Sequence, residues 1–517
     1  MKQKILFLIL FLALLGIIDS GYLTYEHYAK TIPPCSTNVF IDCRKVLGSH
    51  YSYFFGIPLA LIGLIHYLIL FFISLISLKT KSKIFSYLVI LQSTIGVFAS
   101  IYFMYLQLII IKSLCLYCTF SAIISFIIFS LVMIFMRKEK REILFYFFGF
   151  SYQNFLRKIF FLIDPEFIHE RMLDNGELLG KLTPVKYLVN RITRYKDKSL
   201  QQKIAGLTFE LPVGLAAGFD YEAKLPLISS ALGFGFQTIG TITNMPYEGN
   251  PKPRLGRLPM SKSLMVNKGF KNPGADSIIK RLALSGVEGF DILIGISIGR
   301  TNSIKLSTLD KSIEDIVTAF KKFERSKVNN SYYELNISCP NIIHGGEISF
   351  YPLRNLSQLL SAVQKLRIKK PIFIKMPIEL SNNQTLNILK VISEYKLTGV
   401  IIGNLQKNKN DPTLVKEEVK IWKVGYFSGK PTFNRSNELI KLAYKNFGKK
   451  LVIIGCGGIF SAEDAYTKIR LGASLIQLIT GMIYQGPQLI PQINLGLIDK
   501  LQKDGFKNIA EAVGTDV

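Results

Sequence analysis

Four long apolar stretches fill the first 140 residues, and no other feature narrows the possible folds of this chain as much. They run from Ile5 to about Tyr25, from about Phe54 to Leu78, from about Ile84 to Ile111 and from about Leu116 to Met136. About 20 mostly apolar residues span a bilayer as a helix, so each stretch is long enough to cross. A helix of a soluble bundle keeps one face for water, and these leave none. The first stretch also has the start of a signal peptide, with Lys2 and Lys4 before an apolar core. No clear cleavage site follows and three more spans do, so it is expected to be retained. With 49% hydrophobic and 19% charged residues, the chain is neither disordered nor fibrous.

Charge adds to the membrane reading. The chain has 63 Lys+Arg against 36 Asp+Glu, a formal net charge of +27. Such an excess suits nucleic acid, an anionic membrane face or a merely lysine-rich composition. Here apolar runs accompany it and no basic patch is interleaved with aromatics, which favours membrane lipid and argues against nucleic acid. Lys2 and Lys4 precede the first span, Lys79, Lys81 and Lys83 lie between the second and third, and Arg137, Lys138, Lys140 and Arg141 follow the fourth. All three clusters fall on one side of a four-span topology, which is therefore expected to be cytoplasmic, in a multi-pass protein of the inner membrane. The loop from about Ala29 to Tyr53 and the turn from Lys112 to Leu116 are then outside, on the periplasmic or extracellular face.

Six cysteines are too few for a disulfide-stapled secreted fold, but four of them, Cys35, Cys43, Cys115 and Cys118, lie on that outer, oxidising side. Cys115-Leu116-Tyr117-Cys118 opens the fourth helix, where the helix dipole stabilises a thiolate and favours exchange chemistry. Two structural disulfides and a tetrahedral metal site are the alternatives for such a quartet, although zinc without a folded ribbon around it is disfavoured and no metal is expected. The surrounding pattern is specific. Seven residues separate Cys35 from Cys43; Lys45-Val46-Leu47, Ser49 and Phe55-Gly56-Ile57-Pro58-Leu59-Ala60 follow, and the CxxC comes later. Over about residues 5–136 this resembles the vitamin K epoxide reductase family, in its bacterial disulfide-forming branch. The resemblance implies a four-helix bundle holding a quinone beside the CxxC. Cys115 and Cys118 would face the quinone, with Cys118 nearest. Cys35 and Cys43 would shuttle electrons inward from a thioredoxin-like periplasmic thiol protein, and Ser49 would be the family's loop serine.

Residues 142–163 are apolar and aromatic but are interrupted by Gln153, Asn154, Arg157 and Lys158. A helix lying in the membrane interface is expected there in preference to a fifth span. Asp164-Pro165 then reads as an N-cap followed by proline at the first helical position. From about Leu211, eight short apolar runs alternate with helical segments: Val213–Ala217, Thr238–Thr241, 292–298, Tyr332–Ser338, Ile372–Lys375, Gly399–Gly403, Val452–Gly455 and Leu475–Ile479. Their number and spacing predict a TIM barrel, an α/β fold whose chemistry sits just after the strands. The marked residues cluster there. Glycine loops after the seventh and eighth strands are where barrels bind a phosphate through backbone amides, which points to a phosphorylated cofactor such as FMN. The expected organisation is 1–140 transmembrane, 141–205 interfacial and helical extension, and 206–517 barrel.

Ala216-Ala217-Gly218, Gly240-Thr241, Pro253-Arg254-Leu255, Asn336 to Asn341, Lys375, Ser428-Gly429 and the two glycine loops together resemble the dihydroorotate dehydrogenase family. Ile163-Asp-Pro-Glu-Phe-Ile-His169 resembles the helical extension of its membrane-associated, quinone-using class. The resemblance implies oxidation of dihydroorotate to orotate in pyrimidine synthesis, with quinone as acceptor. It sets FMN against Ala217, Gly218, Thr241, Asn336, Lys375, Gly429, Gly458, Ile479 and Thr480, and the substrate against Asn267, Phe270, Asn341 and Asn404. Chemistry agrees. Oxidising a saturated pyrimidine ring needs a base for a C–H proton, and Cys339 suits it, since a free thiol titrates near 8.5. The asparagines offer both donor and acceptor to an imide edge. Lys375 suits an anionic reduced flavin.

The sequence departs from the family in several places. Cys339 is the base of the soluble class, where the quinone-using class has Ser. Tyr221 stands for a lysine, Ser297 for an asparagine and Leu405 for a threonine, and the loop Val266-Asn267-Lys268-Gly269-Phe270 is one residue short. The leading reading is a fusion of two oxidoreductases that share a quinone pool. The alternatives are an FMN enzyme for another pyrimidine-like ring, and a degenerate barrel serving as scaffold for the disulfide module.

Overall fold

A computed structural model describes residues 2–29, 31, 35, 40–80, 83–284, 292–344 and 348–517. Lys81 lies outside the described residues, as does much of the outer loop after Ala29, and so do the side chains of Lys2, Lys83, Arg137 and Lys138. The chain divides into two compact units, Met1–Leu144 and Phe145–Val517.

The first unit is a bundle of four helices: α1 (Lys2–Ala29), α2 (Leu59–Thr80), α3 (Lys83–Tyr105) and α4 (Leu116–Phe135). Each is long and apolar enough to cross a membrane. Outward residues such as Phe7, Phe72, Phe98 and Ile123 are exposed and apolar, as lipid-facing positions must be. α3 runs on into a π turn, Leu106–Ile111, which stops at Lys112 in the left-handed region (φ +55°). This turn delivers the chain to Cys115, the N-cap of α4. The loop between α1 and α2 holds a short helix, Cys43–Leu47, started by Asp42, whose carboxylate accepts from the N–H groups of Arg44 and Lys45 at 2.9 and 3.3 Å.

In the second unit, the residues expected to lie in the interface form helix (up to Ser151), a π turn (Tyr152–Leu156) and helix again (Arg157–Leu162). Phe147, Phe150, Phe155, Ile159 and Leu162 are exposed. The polar residues do not all face water: Arg157 Nη1 donates to Tyr484 O at 2.9 Å, and the Tyr152 hydroxyl donates to Ile483 O at 2.8 Å. The helix therefore spends its polar side on the barrel and leaves its apolar side bare. Asp164 caps α5 (Pro165–Lys181), accepting from Phe167 N at 2.8 Å, and α6 (Thr183–Thr193) follows.

All eight apolar runs are strands of one closed parallel barrel. They are β1 (Val213–Leu215), β2 (Phe236–Ile242), β3 (Leu293–Ile298), β4 (Tyr332–Asn336), β5 (Ile372–Met376), β6 (Gly399–Ile402), β7 (Val452–Cys456) and β8 (Leu475–Leu478). β8 pairs with β1 to close the ring. A hairpin, Gln202–Ile204 with Leu207–Phe209, brings Ile204 and Phe209 to a core inside the barrel formed by Phe236, Tyr332, Phe373 and Leu475. Two strand glycines make room for it. A Cβ on Gly214 would lie 2.3 Å from the Phe236 ring, and one on Gly295 would lie 2.1 Å from the Tyr332 ring. This aromatic floor pushes the free space to the other end, where the strands finish. A three-stranded antiparallel sheet not expected from the sequence, Leu255–Leu258, Ser263–Val266 and Tyr426–Phe427, walls that end.

Candidate functional site

In the bundle, Cys35 and Cys43 form a disulfide, with 5.6 Å between their Cα atoms, while Cys115 and Cys118 are free thiols. The sulfurs of Cys35, Cys43 and Cys115 lie within 4.8 Å of one another. A buried thiol against a disulfide is the arrangement needed for exchange between the two pairs. Cys115 is fixed at both ends: its N–H donates to Gln107 Oε1 at 2.8 Å, and its sulfur accepts from Cys118 N–H at 3.5 Å. The neighbouring Cys118 thiol holds the Cys115 thiol below its ordinary value, against the opposing effect of burial. Cys118 borders a cavity of about 450 Å³ lined by all four helices and the loop between α1 and α2. That volume is ordinary for a drug-sized ligand. Ser49 also borders this cavity, with its hydroxyl spent on Val46 O at 2.7 Å.

In the barrel, a second cavity of about 200 Å³ opens at the carboxyl ends of the strands. Ala217 and Gly218 reach it from β1, Thr241 from β2, Asn336, Cys339 and Asn341 from the end of β4, Lys375 from β5 and Asn404 from β6. Gly429, Gly458, Ile479 and Thr480 also border it, as does Phe270, which follows the second strand of the three-stranded sheet that forms a lid over this end. Asn336 and Lys375 are register partners on adjacent strands, so the strand ends alone set them side by side. Gly457 and Gly458 take left-handed backbone (φ +100° and +71°), as does Gly429 (φ +80°), which lets successive N–H groups line a concave loop.

Asn267 does not border the cavity. Its carbonyl accepts from Asn250 at 2.9 Å and its amide donates to Pro253 O at 3.4 Å, so it braces the lid. Asn341 ties the β4 loop to the same lid through Val266 O at 3.0 Å.

A chain of donors crosses the mouth. Asn404 donates to Ser338 Oγ at 2.6 Å, Ser338 to Asn336 Oδ1 at 2.9 Å, and Asn336 to Thr241 Oγ1 at 2.8 Å. Thr241 and Ser297 hydroxyls meet at 2.9 Å, and Ser297 donates to the fully buried Glu334 at 2.9 Å. Ser297, the departure from asparagine, is thus the link that reaches Glu334. Burial works against a charge on Lys375, but Glu334 on the neighbouring strand holds its ammonium above the ordinary lysine value.

Cys339 is half-buried, and desolvation pushes its thiol up to about 12, despite the Asn341 N–H and the Lys407 charge that oppose it. The Tyr221 departure is also resolved: Lys268, in the shortened loop, is buried with its ammonium 3.1 Å from the Tyr221 hydroxyl and 4.3 Å from the ring centroid. Burial lowers Lys268 to about 7. His169 of α5 stacks on Tyr221 at 5.7 Å, and burial holds its imidazole well below the usual range. Lys268 went unrecognised in the sequence, because nothing there signals that it fills space beside residue 221. Glu166 of α5 bonds Lys271 at 3.2 Å and Arg254 at 3.3 Å, which fastens the extension to the lid.

Comparison with known proteins agrees with this geometry. Residues 199–501 match the sequence model of dihydroorotate dehydrogenase, and residues 7–133 match that of the vitamin K epoxide reductase family. A dihydroorotate dehydrogenase (quinone) of Nostoc punctiforme is 36% identical over 363 residues, covering 68% of this chain and 94% of that protein. One from Christiangramia forsetii is 36% identical over 353 residues, covering 68% and 99%. The crystal structure of an Eimeria tenella dihydroorotate dehydrogenase in complex with ferulenol is similar with a TM-score of 0.57 and 27% identity, covering 68% of this chain and 96% of that one.

Proposed function

The chain belongs to the dihydroorotate dehydrogenase family, fused to a region of the vitamin K epoxide reductase family, and from that premise we propose a membrane protein with two quinone-linked sites. The barrel oxidises dihydroorotate to orotate and the bundle oxidises thiols to disulfides. The observation that carries the barrel reading is the meeting of Cys339, the asparagine edge and Lys375 at one mouth with the glycine loops. These donors fit FMN. Gly429, Gly457 and Gly458 offer backbone amides to a phosphate, while Asn336, Thr241 and Lys375 reach a ring system. When bound, FMN supplies the two-electron acceptor for the hydride of the substrate.

The chain's own residues do the rest. Asn341 and Asn404 orient the imide edge of the pyrimidine. Cys339 holds the proton lost from carbon. Lys375 keeps a positive charge at the ring's edge, and the lid excludes water. An acceptor quinone approaches along α5, where His169, Tyr221 and Lys268 form the wall. Purified protein is expected to be yellow, to bleach with dihydroorotate without oxygen, and to recover colour with a short-chain quinone. A colourless protein would leave the scaffold reading. A yellow protein that ignores dihydroorotate would move the substrate to another pyrimidine-like ring.

In the bundle, Cys35–Cys43 exchanges with a thioredoxin-like thiol protein on the periplasmic face, and Cys115–Cys118 passes the electrons to quinone. The juxtaposed sulfurs support this. The basic clusters support a cytoplasmic barrel in the inner membrane. A reporter fused after Val517 should be active only in the cytoplasm, and activity only in the periplasm would reverse the topology.

A further inference from the structure

α1 carries an acid where a span has little reason to keep one. Asp19 is only 7% exposed, and its Oδ2 has no hydrogen-bond partner among the described residues. Its polar neighbours on the helix are accounted for: Ser20 Oγ donates to Gly16 O at 2.5 Å and Thr24 Oγ1 to Ser20 O at 2.7 Å. A carboxylate with an unspent oxygen at membrane depth is expensive, and ionisable groups there mark a functional pathway by default.

Asp19 borders the large cavity together with Cys118, and also a recess shared with Cys35 and Tyr117. One turn on, Tyr22 packs its ring 5.3 Å from Tyr117, one of the two residues between Cys115 and Cys118. The acid therefore sits at the CxxC turn. The other polar groups deep in the cavity are committed. The Tyr67 hydroxyl donates to Ser121 O at 2.7 Å and meets Ser125 Oγ at 2.9 Å. His66 is engaged by Gln92, whose Nε2 lies 2.8 Å from His66 Nδ1. Glu26, His27 and Arg44 stand at the outer end, toward the loop.

We propose that Asp19 is the proton acceptor for the Cys115–Cys118 pair as it reduces a quinone, an assignment that rests on the thiol-oxidase reading of the bundle. The reaction breaks two S–H bonds and forms one S–S bond, while two electrons pass to the quinone and two O–H bonds form on it. Asp19 takes each thiol proton in turn and returns it to a quinone oxygen, ending unchanged. Thiols then need not ionise into water to react.

The test uses the full-length protein in liposomes, with dithiothreitol as electron donor and short-chain ubiquinone and naphthoquinone as acceptors. Asp19→Asn keeps the shape and removes the base. It should lower quinone reduction about a hundredfold at neutral pH. Alkylation trapping should find Cys115 and Cys118 accumulating as thiols. The residual rate should climb steeply with pH, where the wild type is flat, and Asp19→Glu should recover a substantial part. Asp19→Asn with the wild-type rate and pH profile would overturn the assignment. So would Asp19→Asn and Asp19→Glu equally slow with the cysteines trapped as disulfide. A wild type that reduces neither quinone would overturn the thiol-oxidase reading, and this assignment with it.

Discussion

Cys339→Ala is expected to bind flavin normally yet bleach with dihydroorotate at least about a hundredfold more slowly than the wild type, the usual loss when a positioned base is removed. Cys339 lies at the end of β4, within the same cavity wall as Asn341 and Lys375. Its thiol is pushed up to about 12 by desolvation. The working base is the thiolate, and below the pKa its fraction rises about tenfold for each pH unit. The wild-type reductive rate should therefore keep climbing from pH 7 to 10 without levelling near 8.5. Cys339→Ser should fall between wild type and Ala, because an alcohol is less acidic still and needs a relay. Anaerobic stopped-flow across pH reads all three. An Ala variant at the wild-type rate would make Cys339 a packing residue, and a plateau near 8.5 would overturn the desolvated thiol.

The second large effect belongs to the bundle. Cys115→Ala and Cys118→Ala should each bring quinone-linked thiol oxidation down to the background of protein-free buffer, with flavin bleaching in the barrel unchanged. A single remaining thiol cannot close the disulfide that releases two electrons. Cys35→Ala should behave differently. It removes the disulfide that stands within 4.8 Å of the Cys115 sulfur. Oxidation of a protein thiol partner should stop, while a small dithiol still reaches Cys115 directly. Equal loss with both donors would end the shuttle assignment, and normal oxidation in the Cys118 variant would end the redox assignment altogether.

The architecture was largely legible in the sequence because both periodic signals are strong. Spans without a polar face leave one solution, and eight β runs with chemistry at their ends leave a barrel. The meeting of Asn336 and Lys375 follows from strand register alone. What could not be read depends on side chains meeting across long stretches of chain. Lys268 reaches Tyr221 across 47 residues. Ser297 reads as a lost asparagine until its bond to Glu334 is visible. Asn267 has the right residue type in a suggestive loop, but neighbours in the lid occupy its amide. The Cys339 thiol is set by desolvation, which no local motif encodes. The lid strands are too short for their alternation to be seen.

The donor chain across the mouth works like a compass needle. Glu334 accepts, so Ser297 must point its proton inward, Thr241 must point to Ser297, and Asn336 must turn its NH2 group toward Thr241 and its carbonyl toward Ser338. Asn404 is the last to be aligned. Each amide or hydroxyl could face either way if isolated, and a mouth of independent groups would present many polar patterns to a ring entering it. Here the fully buried Glu334 at one end and the Ser338 backbone at the other, whose N–H donates to Asn336 Oδ1 and whose carbonyl accepts from Asn404, select a single pattern. The polarity that an incoming ring meets is thus set in part from a carboxylate buried below the opening.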